Sequence, residues 1–288
     1  MKLTTAERLV HAVHQIIVLD ENKHPVGTGT GFLATLCDDG VEYIPVLVTN
    51  RHVLEAGPYI IVPFTESDED GSPLIGHTVN ITLSTASSIF HPNLDVDLAI
   101  IPIQRYFDLA KASGHKPFVV LLPSKLIPSK STWESFDAIE SITTPGYPKG
   151  LRDGVNNFPI VRQGITATPP RYDFMGDPCF LVDMPCFEGC SGSPVFIYNE
   201  GTYTDARTRS ISIGSRLYLL GILYATSKSK VIGKLDVIPA TDTEQAPVVP
   251  LYLNIGYAVK SSALLDFEPI LLAKFGIDPE PSSQRPVV

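Results

Sequence analysis

The segment EGCSGSP, residues 188–194, sets two side chains able to attack a carbonyl, Cys190 and Ser191, between glycines and ahead of a proline. A hydroxyl or thiol does acyl-transfer chemistry only when a base removes its proton and hydrogen-bond donors hold the oxyanion that forms. Glycines there permit a tight turn whose backbone N–H groups crowd into one small space, so the amides of Gly189 and Ser191 could form an oxyanion hole. His52 offers a base at the end of the apolar run LVTNRHVL (47–54). Asp97 offers an orienting acid in LDVDLAIIPI (94–103), and Asp95 competes with it, because strand alternation puts both on one face. His52 and the two aspartates stand in the first half of the chain and Ser191 in the second, so a cleft between two units must unite them.

Those units read as β-structure. Short apolar runs, among them IIVL, GFLATL, YIPVLVTN, YIIVPF, VNITLS and DLAIIPI, are punctuated by Gly, Pro, Asn and Asp, and 25 prolines forbid long helices. From about residue 134 a second set follows: FDAIESITTPG, IVRQGITAT, CFLVDM, SPVFIY, LYLLGILYA and YLNIGYAV. Two groups of about six strands without βα alternation predict an all-β protein of two packed barrels or sandwiches. The expected organisation is an N-terminal barrel over 1–110, a connection over 111–133, a C-terminal barrel with a closing helix over 134–276, and a tail over 277–288. Thr4 and Glu7 are spaced as the capping box of a short N-terminal helix. Ser261 and Ser262 can cap a C-terminal helix through ALLDFEPILLAKF that Gly276 closes.

Composition removes several classes of function. A net charge of −9 and a pI near 5.2 oppose a polyanionic partner, so nucleic acid is not expected. The longest apolar run, YLLGILYA at 218–225, is far short of the ~20 residues that span a bilayer. The charged and histidine residues threaded through the first 19 positions deny a secretory signal. Four cysteines, Cys37, Cys179, Cys186 and Cys190, in a chain of 288 residues then read as reduced thiols of a cytoplasmic protein. They lack the spacing of a metal site, SDEDGS (67–72) lacks the closing Glu of a calcium loop, and GTGTGF (27–32) lacks the lysine of a phosphate loop. No cofactor is expected.

Taken in order, GTGFLA, LVTNRHV, DVDLAIIPI, GYP, GITAT, FLVDMPCFEGCSGSPVF, LLGILYA and NIGYAV resemble the successive landmarks of trypsin-like serine proteases, over about residues 15–275. The likeness is nearer to the bacterial HtrA-like and glutamyl-endopeptidase-like branch than to digestive trypsins. It implies a chymotrypsin-like fold of two six-stranded antiparallel β-barrels and a serine endopeptidase acting on polypeptides. His52 would be general base, Asp97 its orienting acid, Ser191 the nucleophile, and Gly189 with Ser191 the oxyanion hole. The resemblance also implies a specificity pocket walled by Pro185, Cys186, Phe187 and Glu188, by Tyr224, Ala225 and Thr226, and by Asn254 to Gly256. Pro185 at the pocket base carries no acid, which implies a non-tryptic preference. Departures matter too. Cys190 occupies the place where zymogen-activated members keep an aspartate, so activation by that ion pair is excluded, and Gly-Gly-Pro becomes Gly192-Ser193-Pro194. No PDZ domain is expected after the protease domain.

Three rivals stand beside this reading: a protease-fold scaffold that binds a peptide without cutting it, an esterase or acyltransferase using the same serine, and a cysteine hydrolase using Cys190. A regulatory protein partner or an oligomer would suit an unmasked protease. The polar insertions at 149–158 and 226–250 are where such control could act.

Overall fold

The computed structural model describes residues 3–204, 210–232 and 248–276; the expected tail and part of the 226–250 insertion lie outside the described residues. A helix over Thr5–His11 (α1) opens the chain, with the Thr4/Glu7 capping box formed in both directions. Seven strands follow: Val13–Leu19 (β1), Pro25–Leu36 (β2), Ile44–Thr49 (β3), Tyr59–Ser67 (β4), Pro73–Ser84 (β5), Ile89–Phe90 (β6) and Ala99–Pro102 (β7). A short helix over Arg51–Glu55 (α2) lies between β3 and β4, and Gln104–Ala112 (α3) and Lys130–Ser135 (α4) follow β7. The second half holds Ser141–Gly146 (β8), Ile160–Thr166 (β9), Cys179–Asp183 (β10), Pro194–Asn199 (β11), Thr202–Thr204 (β12), Ile211–Ile213 (β13), Arg216–Ile232 (β14) and Val248–Lys260 (β15).

Six of these strands close a barrel in the order β10-β15-β14-β11-β8-β9, as the all-β expectation has it. The first half is instead a seven-stranded antiparallel sheet, β5-β4-β1-β2-β3-β7-β6. β6 folds back on β7, pairing Ile89 with Ile100, so β5 and β6 are the two edges of the sheet. Side chains complete the closure. Val79, Ile81 and Leu83 of β5 share one buried cluster with Ala99 and Ile101 of β7, so the sheet curls on itself without its last ladder.

The connecting stretch is built into that sheet. The Phe118 amide donates to Thr65 O (2.7 Å) and the Leu122 amide to Leu33 O (2.9 Å), so residues 116–122 run as an extended strap over the first unit. At the far end, the C-terminal helix begins later than its serines suggest: Ser261–Phe267 is a 3-10 turn and the α-helix covers Glu268–Phe275 (α5), with Pro269 in its first turn and Gly276 left-handed at its end. Proline in the first turn has no amide to lose there. No helix of the described residues is long and apolar enough to cross a membrane.

The central strands β1, β3 and β11 read as continuous apolar runs because they are buried on both faces, whereas β5 and β9 keep one face exposed. Side chains alternate between two cores at the period of two that a strand imposes. On β3, Leu47 points into the first unit while Val46 and Val48 point to the seam between units; on β11, Val195 and Ile197 fill the barrel while Phe196 faces the seam. The seam core gathers Phe32, Val48, Ile100, Phe196, Ile222 and Val259 under Leu264, Phe267 and Leu271. The C-terminal helix is thus a lid on the joint between the two halves.

Among the polar groups carried inside this fold is an imidazole. His14 of β1 is buried against the Phe64 ring (4.3 Å between centroids), its Nδ1 lies 3.4 Å from Pro63 O, and its Nε2 has no partner. Burial pushes its pKa down to about 4, and burial also lowers that of His11. The folded state holds His14 neutral, while the unfolded chain takes up its proton near 6.5. Stability is therefore unaffected by His14 above that pH and falls as pH drops from there toward 4. We expect His14→Leu to remove about 3 kcal/mol of the acid-dependent loss by pH 4, at one and a third kcal/mol per pKa unit. Urea titrations at pH 7.5 and 4.5 check this, and an unchanged pH dependence in the variant counts against it.

Candidate functional site

His52 is placed by the end of β3, whose buried run stops at Thr49 and turns through Asn50 into α2. Asn50 sits at the cap position of α2 in an extended conformation, yet makes no side-chain cap. Its amide nitrogen donates instead to Asp97 O (2.7 Å), and the residue is fully buried. That bond draws the residues preceding β7 against the start of α2. There Asp97 takes two hydrogen bonds from one residue: the His52 amide on Oδ1 (3.1 Å) and His52 Nδ1 on Oδ2 (2.5 Å). The two contacts fix ring and backbone together, and they distinguish the two aspartates. Asp95 receives nothing from His52; its own amide donates to Asn93 Oδ1 (3.0 Å).

The loop before Asp97 is pinned along its length. Arg51 donates to His91 O (2.8 Å) and to Leu94 O (3.3 Å), and buried His91 reaches Asp266 Oδ2 through Nε2 (3.1 Å). His52 itself keeps about half of its side chain in solvent, where Asp97 keeps about a quarter. An exposed ring on a fixed axis is available to a second molecule.

Ser191 stands on a turn held by the other half of the molecule. Gly189 and Gly192 both have φ of +87°, a backbone that L side chains rarely adopt. A side chain at Gly192 would run into the Thr30 carbonyl, and one at Gly189 would come within 2.5 Å of Tyr147 O. Thr30 of β2, fully buried, grips the turn from across the seam. Its amide donates to Ser191 O (2.8 Å), its hydroxyl donates to Gly189 O (2.8 Å) and accepts from the Tyr147 amide (3.0 Å), and its carbonyl accepts from Thr49 Oγ1 (2.7 Å). With those carbonyls engaged, the amides of Gly189 and Ser191 donate to no protein acceptor among the described residues. Two open backbone donors flank the Ser191 side chain. No hydrogen bond joins Ser191 to the His52 ring among the described residues, a spacing common before a substrate closes the site.

Of the segments expected to wall a pocket, 225–226 and 255–256 are strand neighbours, and the strand ahead of 185–188 pairs with the same stretch. Val182 pairs with Gly256 and Asp183 with Ile255, Thr226 lies opposite Gly256, and the Met184 amide donates to Asn254 O (2.9 Å). Cys186 is buried, its sulfur packed onto Gly256, and burial pushes its thiol up to about 12. Glu188 O accepts from the Lys149 amide (2.5 Å), and Phe187 lies under Lys149 Nζ (5.7 Å). Backbone pairing carries Ala225 and Thr226 along β14. The Tyr224 side chain turns elsewhere, into a cavity shared with Asp95 and Asp177. A larger hollow of about 890 Å³ lies beside the C-terminal helix, lined by Tyr43, Arg105 and Phe275 among others, and touches none of His52, Asp97 and Ser191.

No protein-family model and no curated protein matches the sequence. Among solved structures the chain is similar to the Rv3671c protease of M. tuberculosis in its active form, at 16% identity over 96% of this chain and 86% of that one, with a TM-score of 0.43. It is also similar to the MamO protease domain of Magnetospirillum magneticum (13%, 90% and 97%, TM-score 0.44) and to a mutant of the tobacco etch virus protease (13%, 99% and 87%, TM-score 0.47). All are proteases. Likeness at this level transfers no residue role, so the chemistry rests on the residues of this chain.

Four residues of the site escape a reading of the sequence: Thr30, Thr49, Asn50 and Arg162. Arg162 of β9 donates through Nη1 to Pro185 O and through Nη2 to Cys190 Sγ (3.0 Å), stitching the pocket wall to the turn. Thr30 alone had a visible signal, since the alternating GTGTGF keeps one strand face small where another backbone must approach. We expect Thr30→Val, which keeps the shape and removes the hydroxyl, to cost about 2–4 kcal/mol by stranding the Gly189 carbonyl and the Tyr147 amide. Thr30→Ser should recover most of it. A loss below about 1 kcal/mol in chemical unfolding would mean that the hydroxyl is not what holds the turn.

Proposed function

We propose that the protein is a serine endopeptidase in which His52, Asp97 and Ser191 form the catalytic triad. The observation that carries this is the double hydrogen bond from His52 to Asp97, at the seam where the Ser191 turn leaves two amides open. Donation from Nδ1 to the carboxylate keeps the opposite ring nitrogen, Nε2, as the base, which is what a serine nucleophile requires. Ser191 then attacks the peptide carbonyl as His52 takes its proton, and Asp97 stabilises the imidazolium. The amides of Gly189 and Ser191 hold the oxyanion, His52 returns the proton to the leaving amine, and water frees the acyl-enzyme.

Cys190 suits this reading as a structural neighbour. It is buried, it accepts from Arg162, and its carbonyl accepts from the Ser193 amide (2.9 Å) within the turn. The pocket formed by 185–188, 225–226 and 254–256 would receive the residue before the scissile bond, with Tyr224 turned instead into the neighbouring cavity. We place the protein in a reducing compartment, the cytoplasm, on its four free thiols.

A fluorophosphonate probe should label Ser191 in the native protein, and the same preparation should cleave casein. Ser191→Ala should abolish both, while Cys190→Ser should keep both. Failure of the native protein to label, or casein cleavage surviving Ser191→Ala, rejects the proposal, and cleavage of esters without proteins redirects it to an esterase. Asp97→Asn should lower kcat by about 10⁴, as loss of the orienting acid does in triad enzymes generally. On an uncharged peptide Asp95→Asn should stay within a few-fold of the native rate, and the reverse order of the two variants would exchange the aspartates' roles.

A further inference from the structure

A cavity of about 270 Å³ opens at the seam, two residues from Asp97. Asp95 and Val96 supply its first-half wall; Asp177, Cys179 and Tyr224 supply the second. We propose that this cavity binds a cationic side chain, Lys or Arg, of the polypeptide substrate, with Asp95 and Asp177 as its counter-charges. The inference rests on the peptidase reading, and it adds the class of residue that the substrate must carry.

The first support is charge. Neither Asp95 nor Asp177 forms an ion pair among the described residues. The cations near by are engaged elsewhere: Lys260 Nζ lies 2.7 Å from Asp173 and over the Trp133 ring at 5.4 Å, and Arg51 donates to the His91 and Leu94 carbonyls. The other polar groups of the wall, the Cys179 thiol and the Tyr224 phenol, both have raised pKa values, first through burial, and stay neutral at ordinary pH. The cavity therefore presents two unneutralised carboxylates, one from each half, and only an arriving cation meets both.

Size and rim argue for a side chain. The volume falls below the ~300–1,000 Å³ of sites that enclose a whole small molecule. Leu94 and Met175, 80% and 87% exposed, precede Asp95 and Asp177 by one and two residues on the two loops that carry the carboxylates. A lysine or arginine lays its aliphatic stem along such apolar surface and carries its charge beyond it. Position is fixed as well, since the 91–97 loop is clamped by Arg51 and Asn50. A side chain seated there is held at a set distance from His52.

The test uses peptides in which each position flanking the scissile bond carries in turn lysine, norleucine or glutamate. At one position lysine should lower KM by about five- to tenfold against norleucine, with kcat little changed, and glutamate should raise it. The Asp95→Asn/Asp177→Asn double variant should lose that difference while still labelling with the fluorophosphonate and cutting the norleucine peptide. Added salt should shrink the effect in the native enzyme. Equal KM for lysine and norleucine at every position, or a preference that survives the double variant, overturns the proposal. Binding of the same peptides to Ser191→Ala, read by fluorescence anisotropy, asks the question without turnover. If the native protein neither labels nor cuts, the peptidase reading falls, while the anisotropy comparison still decides whether the cavity selects a cation.

Discussion

The grip of Thr30 on the 189–192 turn is the contact on which the rest of the site depends. It is made across the seam, by one residue of β2 that engages the Ser191 carbonyl, the Gly189 carbonyl and the Tyr147 amide at once. Such closeness is available only where the facing backbone has no side chain, hence the glycine at 192. Thr30 binds the Ser191 and Gly189 carbonyls, while the Cys190, Gly192 and Ser193 amides donate to Phe187 O, Leu223 O and Cys190 O, so among the described residues the Gly189 and Ser191 amides are the ones left open. The clamp thus sets both the location of Ser191 and which polar groups remain for a second molecule. Ser193, buried behind it against Gly146, fills the space of a second glycine.

Cores on both faces of the strands explain why two units can be held in register closely enough for this. Each central strand serves its own unit with one set of side chains and the seam with the other, so the joint has a buried core of its own. The C-terminal helix covers the same joint from outside, and Val120 and Leu122 of the strap pack into its core.

Around His52 the fold solves a different problem, that of presenting an aspartate from one loop to a ring on another. Asn50 holds the main chain of Asp97, Arg51 holds the loop before it, and His91 ties the loop to the C-terminal turn. Three consecutive residues, Asn50, Arg51 and His52, each reach the same loop with a different part of their side chains. The same anchoring fixes Asp95 on the cavity that Tyr224 faces, so the carboxylate beside the histidine and the one beside the cavity are positioned by one device.

What could be read from the sequence alone followed from local rules. Apolar runs of strand length, proline and glycine punctuation, the Thr4/Glu7 box and the left-handed Gly276 are encoded within a few residues, and the structure carries all of them. His52 and Asp97 could be singled out by type and by their places beside strands. Pairings between distant residues decided the rest. Whether Asp95 or Asp97 meets His52 turns on the Asn50 side chain across 47 positions, and strand alternation treats the two aspartates alike. The first sheet's order, with β6 rather than β5 beside β7, comes from pairings between distant segments that no single strand records. Thr30, Arg162 and the cavity at Tyr224 belong to the seam, and a seam exists only when two folded surfaces meet.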